Sequence, residues 1–299
     1  MLYKVLYSRR RILRAIPFLL AMPIVFKLSK AVASEDEMEP FKKIEKALGG
    51  RIGIAAVDTA NGQRIGYRAD ERFPLCSTFK LLLVGAVLAR IDSGTETLDR
   101  MVTYTQSDIL DYAPITKTHL SEGQMSINEL CQAAICYSDN TAGNLLLQSV
   151  GGMQALNRYI RSLGDRITRI DRAEPSINEA APGDIRDTTS PLAMLQDMET
   201  LLLKDALSQS SRMLLVNWLI GNTTGDARLR AGTPSAWKIG DKTGTGDHGT
   251  TNDIAVLWPS NRDPLLIAAY TTESNSSAEE RNAALAQMGQ LAITLLPGA

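Results

Sequence analysis

Residues 77–91 read STFKLLLVGAVLARI, and this stretch decides the fold. From Phe79 to Ile91 it is apolar almost all round. A helix without a polar face cannot lie on a surface, so this one belongs in the centre of the molecule. Ser77 opens it, and Lys80 lies one helical turn further on, on the same face. Downstream the helical pattern continues to about residue 220. Ser126 and Glu129 form a capping box ahead of LCQAAI, and Ser190-Pro191 starts another helix with proline at its first position. Upstream, 51–58 (RIGIAAVD) and 64–67 (RIGY) read as strands around the turn Asn61-Gly62, behind an amphipathic helix over 35–48 that ends at Gly49-Gly50. After about 222 the strands return, at 236–246, 251–259 and 264–272. A last helix over 278–296 is opened by Ser277-x-x-Glu280. Strands at both ends with helices between predict an α+β fold: a five-stranded antiparallel sheet with flanking terminal helices, built from 34–68 and 222–299, and an all-helical domain inserted over 69–221.

The composition is that of a globular protein: 299 residues, 44% hydrophobic and 22% charged, with 32 Lys+Arg against 33 Asp+Glu. The charge is unevenly spread. Residues 1–33 hold seven basic side chains and no acid, leaving 25 basic against 33 acidic groups in the rest. A net-acidic body argues against a nucleic-acid partner. The apolar run 15–26 is too short to span a membrane, follows Arg9-Arg10-Arg11, and precedes the small-x-small site Ala31-Val32-Ala33. That is the layout of a cleavable export signal of the twin-arginine type, cut after about Ala33. It implies the twin-arginine export machinery as a partner of the precursor, a periplasmic mature protein and no stable membrane insertion after cleavage. Two histidines, His119 and His248, leave too little for a multi-histidine zinc site and little room for a Ser-His-Asp relay. No metal or cofactor is expected. Cys76, Cys131 and Cys136 are an odd number. The last two are five apart on a predicted helix, beyond disulfide reach, so three free, mostly buried thiols are expected.

The chemistry-bearing residues fall into three short motifs. Ser77-x-x-Lys80 places a hydroxyl and an amine on one helical face, where a lysine with a depressed pKa can take the serine proton. Ser138-Asp139-Asn140 lies at a break between two helical runs. Lys242-Thr243-Gly244 lies on a predicted sheet strand. S-x-x-K, S-D-N and K-T-G in this order are the signature of class A β-lactamases and penicillin-binding proteins. Between Arg161 and Ser190 runs a long aperiodic stretch rich in Asp, Pro and Gly, and a loop of that length usually carries function.

From about residue 36 to the final helix the chain resembles the class A serine β-lactamases. Arg172-Ala173-Glu174-Pro175-Ser176-Ile177-Asn178 and Gly183-Asp184-Ile185-Arg186-Asp187-Thr188-Thr189 match the two sides of that family's omega loop, here about 169–187. The resemblance implies hydrolysis of the β-lactam ring of penicillins and cephalosporins through an acyl-enzyme on Ser77, conferring antibiotic resistance. Glu174 with Asn178 would activate the deacylating water, held over Ser77 by an Arg172–Asp187 pair. Ser138 would carry a proton to the ring nitrogen, and either Lys80 or Glu174 would deprotonate Ser77. Backbone N–H groups of Ser77 and Thr245 would form the oxyanion site. Asn140, Lys242, Thr243, Gly244, Thr245, Arg228 and Tyr112 would bind substrate. Arg228 would stand in for an arginine that many members carry where this chain has Thr251. Asp139 reads as structural. Gly246 stands where carbapenem-hydrolysing members have a cysteine paired to the one before the serine, so strong carbapenem hydrolysis is not expected. Family members are typically monomers. The rivals are a cell-wall transpeptidase or carboxypeptidase, which would lack Glu174 and Asn178 in this arrangement, and a β-lactam sensor domain, which would carry transmembrane helices.

Overall fold

The computed structural model describes residues 35–296. The export signal expected over 1–33 lies outside them. In chain order the elements are α1 (Glu35–Leu48), β1 (Arg51–Asp58), β2 (Arg64–Tyr67), β3 (Phe73–Pro74), α2 (Phe79–Asp92), β4 (Met101–Thr103), β5 (Gln124–Ser126), α3 (Ile127–Cys136), α4 (Asn140–Ser149), α5 (Gly152–Ser162), β6 (Thr188–Thr189), α6 (Pro191–Leu202), α7 (Gln209–Ile220), β7 (Lys238–Thr245), β8 (Thr251–Trp258), β9 (Leu265–Thr272) and α8 (Ala278–Leu295). The expected five strands form one antiparallel sheet in the order β2-β1-β9-β8-β7. Two small pairs, β3–β6 and β4–β5, were not expected within the helical stretch.

The sheet is covered on both faces, and its period-two alternation sorts side chains between two cores. Ile254, Val256, Leu266, Ala268 and Tyr270 join the larger cluster built around α2, α3 and α4. Ala255, Leu257, Leu265, Ile267 and Ala269 join the smaller one under α1 and α8. Every residue of α2 from Phe79 to Leu88 is buried, as its all-apolar surface requires. The predicted capping boxes at Ser126–Glu129 and Ser277–Glu280 form, and Ser190 accepts from Ala193 N with Pro191 following it.

Candidate active site

Ser77 lies in a 3₁₀ turn, Cys76–Thr78, that runs into α2, rather than in the first turn of α2 itself. Cys76 before it has φ +45°, a left-handed conformation that costs an L-residue about 1–2 kcal/mol. Lys80 is fully buried. Its Nζ donates to Ser77 Oγ at 3.0 Å, to the Ser138 carbonyl at 2.8 Å and to Asn140 Oδ1 at 2.7 Å, and lies 3.0 Å from Glu174 Oε1. Burial pulls its pKa below the ordinary lysine value, and the Glu174 carboxylate opposes that pull.

Ser138, at the break between α3 and α4, also has a left-handed backbone, with φ +57°. The two lysines flank it differently. Lys80 holds its carbonyl, while Lys242 Nζ donates to its hydroxyl at 2.9 Å and to the Thr243 carbonyl at 2.8 Å. Burial drives the Lys242 pKa well down, and the charge of Lys80 drives it further. Asp139 points away from this cluster. It caps α4 by accepting from Ala142 N and binds Ile115 N and Thr116 N, each at 2.9 Å. Those bonds pin the segment carrying Tyr112, whose carbonyl accepts from Asn140 N and whose half-exposed ring stands at the mouth of the site.

The long loop brings Glu174 to the same hydroxyl from the other side, with Oε1 3.2 Å from Ser77 Oγ. Asn178 Nδ2 donates to the other carboxylate oxygen. Sequence reasoning missed Asn144, which clamps the Glu174 backbone by donating to its carbonyl at 2.9 Å and accepting from its N–H at 3.0 Å. At the neck, Asp187 is buried and accepts from Arg172 Nε and from the backbone N–H groups of Asp171 and Arg172. Its carbonyl accepts from Leu75 N, tying the loop to the segment before the Ser77 turn. Asp187→Ala takes the buried carboxylate from Arg172, which keeps only the more peripheral Glu179 and Asp184, and leaves two backbone N–H groups without their acceptor. A loss of about 3 kcal/mol is expected, read as a fall in Tm of roughly 10 °C; an unchanged Tm would show that the neck does not hold the loop.

β7 forms the remaining wall. A Cβ on Gly244 would sit 2.9 Å from the Leu75 carbonyl and 3.3 Å from Ser77 N, so only glycine lets the strand come this close to the Ser77 turn. Arg228 lies where it can add charge to this wall. Its guanidinium donates to the Gly244 and Asn252 carbonyls and to Thr245 Oγ1 at 2.7 Å, while Asn282 of α8 holds its Nε. Thr224, also missed, shares a 2.5 Å hydrogen bond with Thr243. A cleft of about 400 Å³ brings together Ser77, Tyr112, Ser138, Asn140, Asn178, Arg228, Thr243, Gly244 and Thr245. Glu174, Lys80 and Lys242 support it from beneath. The three cysteines are unpaired and buried. A Cβ on Gly246 would fall 2.6 Å from both Cys76 Sγ and the Asn178 carbonyl, so this glycine lets the end of β7, the Ser77 turn and the loop meet.

The sequence profile of the β-lactamase enzyme family matches residues 38–296. A β-lactamase of Escherichia coli, CTX-M-97, is 45% identical over 271 residues, covering 90% of this chain and 93% of its own. A β-lactamase of Amycolatopsis lactamdurans is 46% identical over 259 residues, 86% of this chain and 84% of its own. Among solved structures, the class A β-lactamase of the reconstructed last common ancestor of Gram-negative bacteria superposes with a TM-score of 0.85 at 58% identity, covering 86% of this chain and 98% of that one. A putative class A β-lactamase of Rhodopseudomonas palustris gives 0.85 at 52% identity, with 87% and 99% covered. With the three motifs converging on one cleft and likeness of this extent, the chain belongs to the β-lactamase enzyme family, in its class A branch of serine enzymes.

Proposed function

We infer that the protein hydrolyses the β-lactam ring of penicillins and cephalosporins and so confers antibiotic resistance, and that Ser77 carries the acyl group. Ser77 Oγ adds to the lactam carbonyl and passes its proton to Lys80 or Glu174, both within hydrogen-bond reach. The N–H groups of Ser77 and Thr245 face the oxyanion across the gap that Gly244 keeps narrow. As the C–N bond breaks, the ring nitrogen takes the Ser138 hydroxyl proton, Lys242 returns one to that hydroxyl, and the proton lifted from Ser77 restores Lys242 and leaves the base free again. A water held by Glu174 and Asn178 then gives its proton to Glu174 and attacks the ester, and as the bond from the acyl carbon to Ser77 Oγ breaks, that oxygen takes the proton back from Glu174. Asn140 and Tyr112 line the side that meets the substrate's side chain. Lys242, Thr243, Thr245 and Arg228 meet its carboxylate. The lobes read from the sequence, 34–68 with 222–299 and 69–221, would meet along this cleft.

One observation carries the choice of hydrolase over transpeptidase. A carboxylate paired with an asparagine lies 3.2 Å from the serine hydroxyl, where a deacylating base has to be. Purified protein should turn over one penicillin and one cephalosporin, and Ser77→Ala should turn over neither. Stoichiometric acylation without turnover would instead make it a penicillin-binding protein. No helix among the described residues is long and apolar enough to cross a membrane.

Arg228→Ala should raise KM for carboxylate-bearing substrates by about tenfold, the loss of one charge-assisted contact. An unchanged KM would leave that role to Lys242 alone. We also assign the mature protein to the periplasm, as a monomer exported by the twin-arginine route. Changing Arg9 and Arg10 to lysine should trap the precursor inside the cell; undiminished periplasmic activity would remove that assignment.

A further inference from the structure

Away from the catalytic cleft, the outer face of α7 and the end of α6 form an open apolar pocket against the starting end of β7 and the finishing end of β8. Its volume is about 440 Å³, within the range of roughly 300–1,000 Å³ typical of small-molecule sites. Leu203, Met213, Val216 and Trp258 give it an apolar floor and wall, and Met213 is 57% exposed. Exposed methionine and leucine beside a tryptophan are what a soluble protein normally keeps covered.

The charged side chains that line this floor are both cations. The pocket's lining contains two cations, Arg212 and Lys238, and no acid. Lys238 Nζ stands 5.8 Å from the centre of the Trp258 ring, and no carboxylate pairs with it among the described residues. Arg212 donates to the Leu207 carbonyl, its Nε is buried without a partner, and the acid paired with it, Asp205, is 3.9 Å away and fully exposed. Two under-neutralised cations at the edge of an aromatic and aliphatic floor suit a ligand with an anionic head and an apolar body.

We propose that this pocket is a binding site for a free amphipathic carboxylate, such as a medium-chain fatty acid, with its head between Lys238 and Arg212 and its tail over Met213, Val216 and Trp258. The site is separate from the β-lactam reaction and does not rest on it.

The test is calorimetric titration of the whole protein with dodecanoate below its micelle concentration, with dodecanol as the neutral control. Dodecanoate should bind saturably, one per chain, and dodecanol at least about tenfold more weakly, the loss of one charge contact. Lys238→Glu and Met213→Asp, both at exposed positions, should each weaken binding by about tenfold or more, while Arg228→Ala leaves it unchanged. Four results would overturn the proposal. They are absence of saturable binding, equal binding of the alcohol, insensitivity to both pocket variants, and loss of binding in Arg228→Ala, which would place the ligand in the catalytic cleft. Association seen only with phosphatidylglycerol vesicles would equally count against a free-ligand site.

Discussion

Glu174→Ala is expected to open a penicillin and then fail to release it. In the proposed mechanism the carboxylate, held by Asn178 and 3.2 Å from Ser77 Oγ, draws a proton from the water that attacks the ester. A positioned general base is worth about 10²–10⁴ in rate, so deacylation should slow by that factor. Acylation should suffer less, because Lys80 still reaches Ser77 Oγ at 3.0 Å. The variant should also stay folded. Asn144 holds residue 174 through its backbone, and the Arg172–Asp187 neck does not involve the lost side chain. Stopped-flow traces should show one turnover per enzyme and then a stall. Sustained multiple turnover near the parental rate would take the deacylating role away from Glu174.

Lys80→Met should slow the acylation step itself, again by about 10²–10⁴. Lys80 is the hub of the cleft, joining Ser77, the Ser138 carbonyl, Asn140 and Glu174 through one ammonium. Its pH dependence has a definite sign. Burial disfavours the ammonium and lowers the pKa, while the Glu174 carboxylate raises it again. If the neutral amine takes the serine proton, acylation rises with pH through that lowered pKa. Glu174→Gln removes the opposing charge, so the same limb should move to lower pH, and in Lys80→Met it should vanish. A single-turnover pH series on the three proteins reads this directly. A limb that stayed in place in Glu174→Gln would show that it does not report Lys80.

How much of this was legible in the sequence follows the range of each signal. Asn61-Gly62, Ser190-Pro191 and the capping boxes act within four residues, so the element boundaries they set were readable and are observed within about two residues. Ser77-x-x-Lys80 is one helical turn and was readable as a pair. Asn144 was not, although it stands four residues after Asn140 on the same helix. Its partner Glu174 is thirty residues on, across a loop with no periodicity to register it. The pairs β3–β6 and β4–β5, of two and three residues, are too short to show a period of two.

Buried polar groups were hidden for a related reason. Asp253 lies on β8 opposite Thr243 and is fully buried, and burial and then Asp241 drive its pKa well up. Thr224 reaches β7 from the connection after α7. Neither position differs in sequence from an ordinary surface residue. Only the covering of the sheet buries Asp253, and only the fold brings Thr224 to the wall of the cleft beside Thr243.

The measurement that bears most directly on the whole account is peptide-mapped mass spectrometry of Glu174→Ala after brief exposure to benzylpenicillin. The account predicts one intact penicillin mass per chain, carried by the peptide that contains Ser77 and absent when Ser77 is also replaced by alanine. An adduct on any other residue, or continued hydrolysis with no covalent species on Ser77, would contradict it.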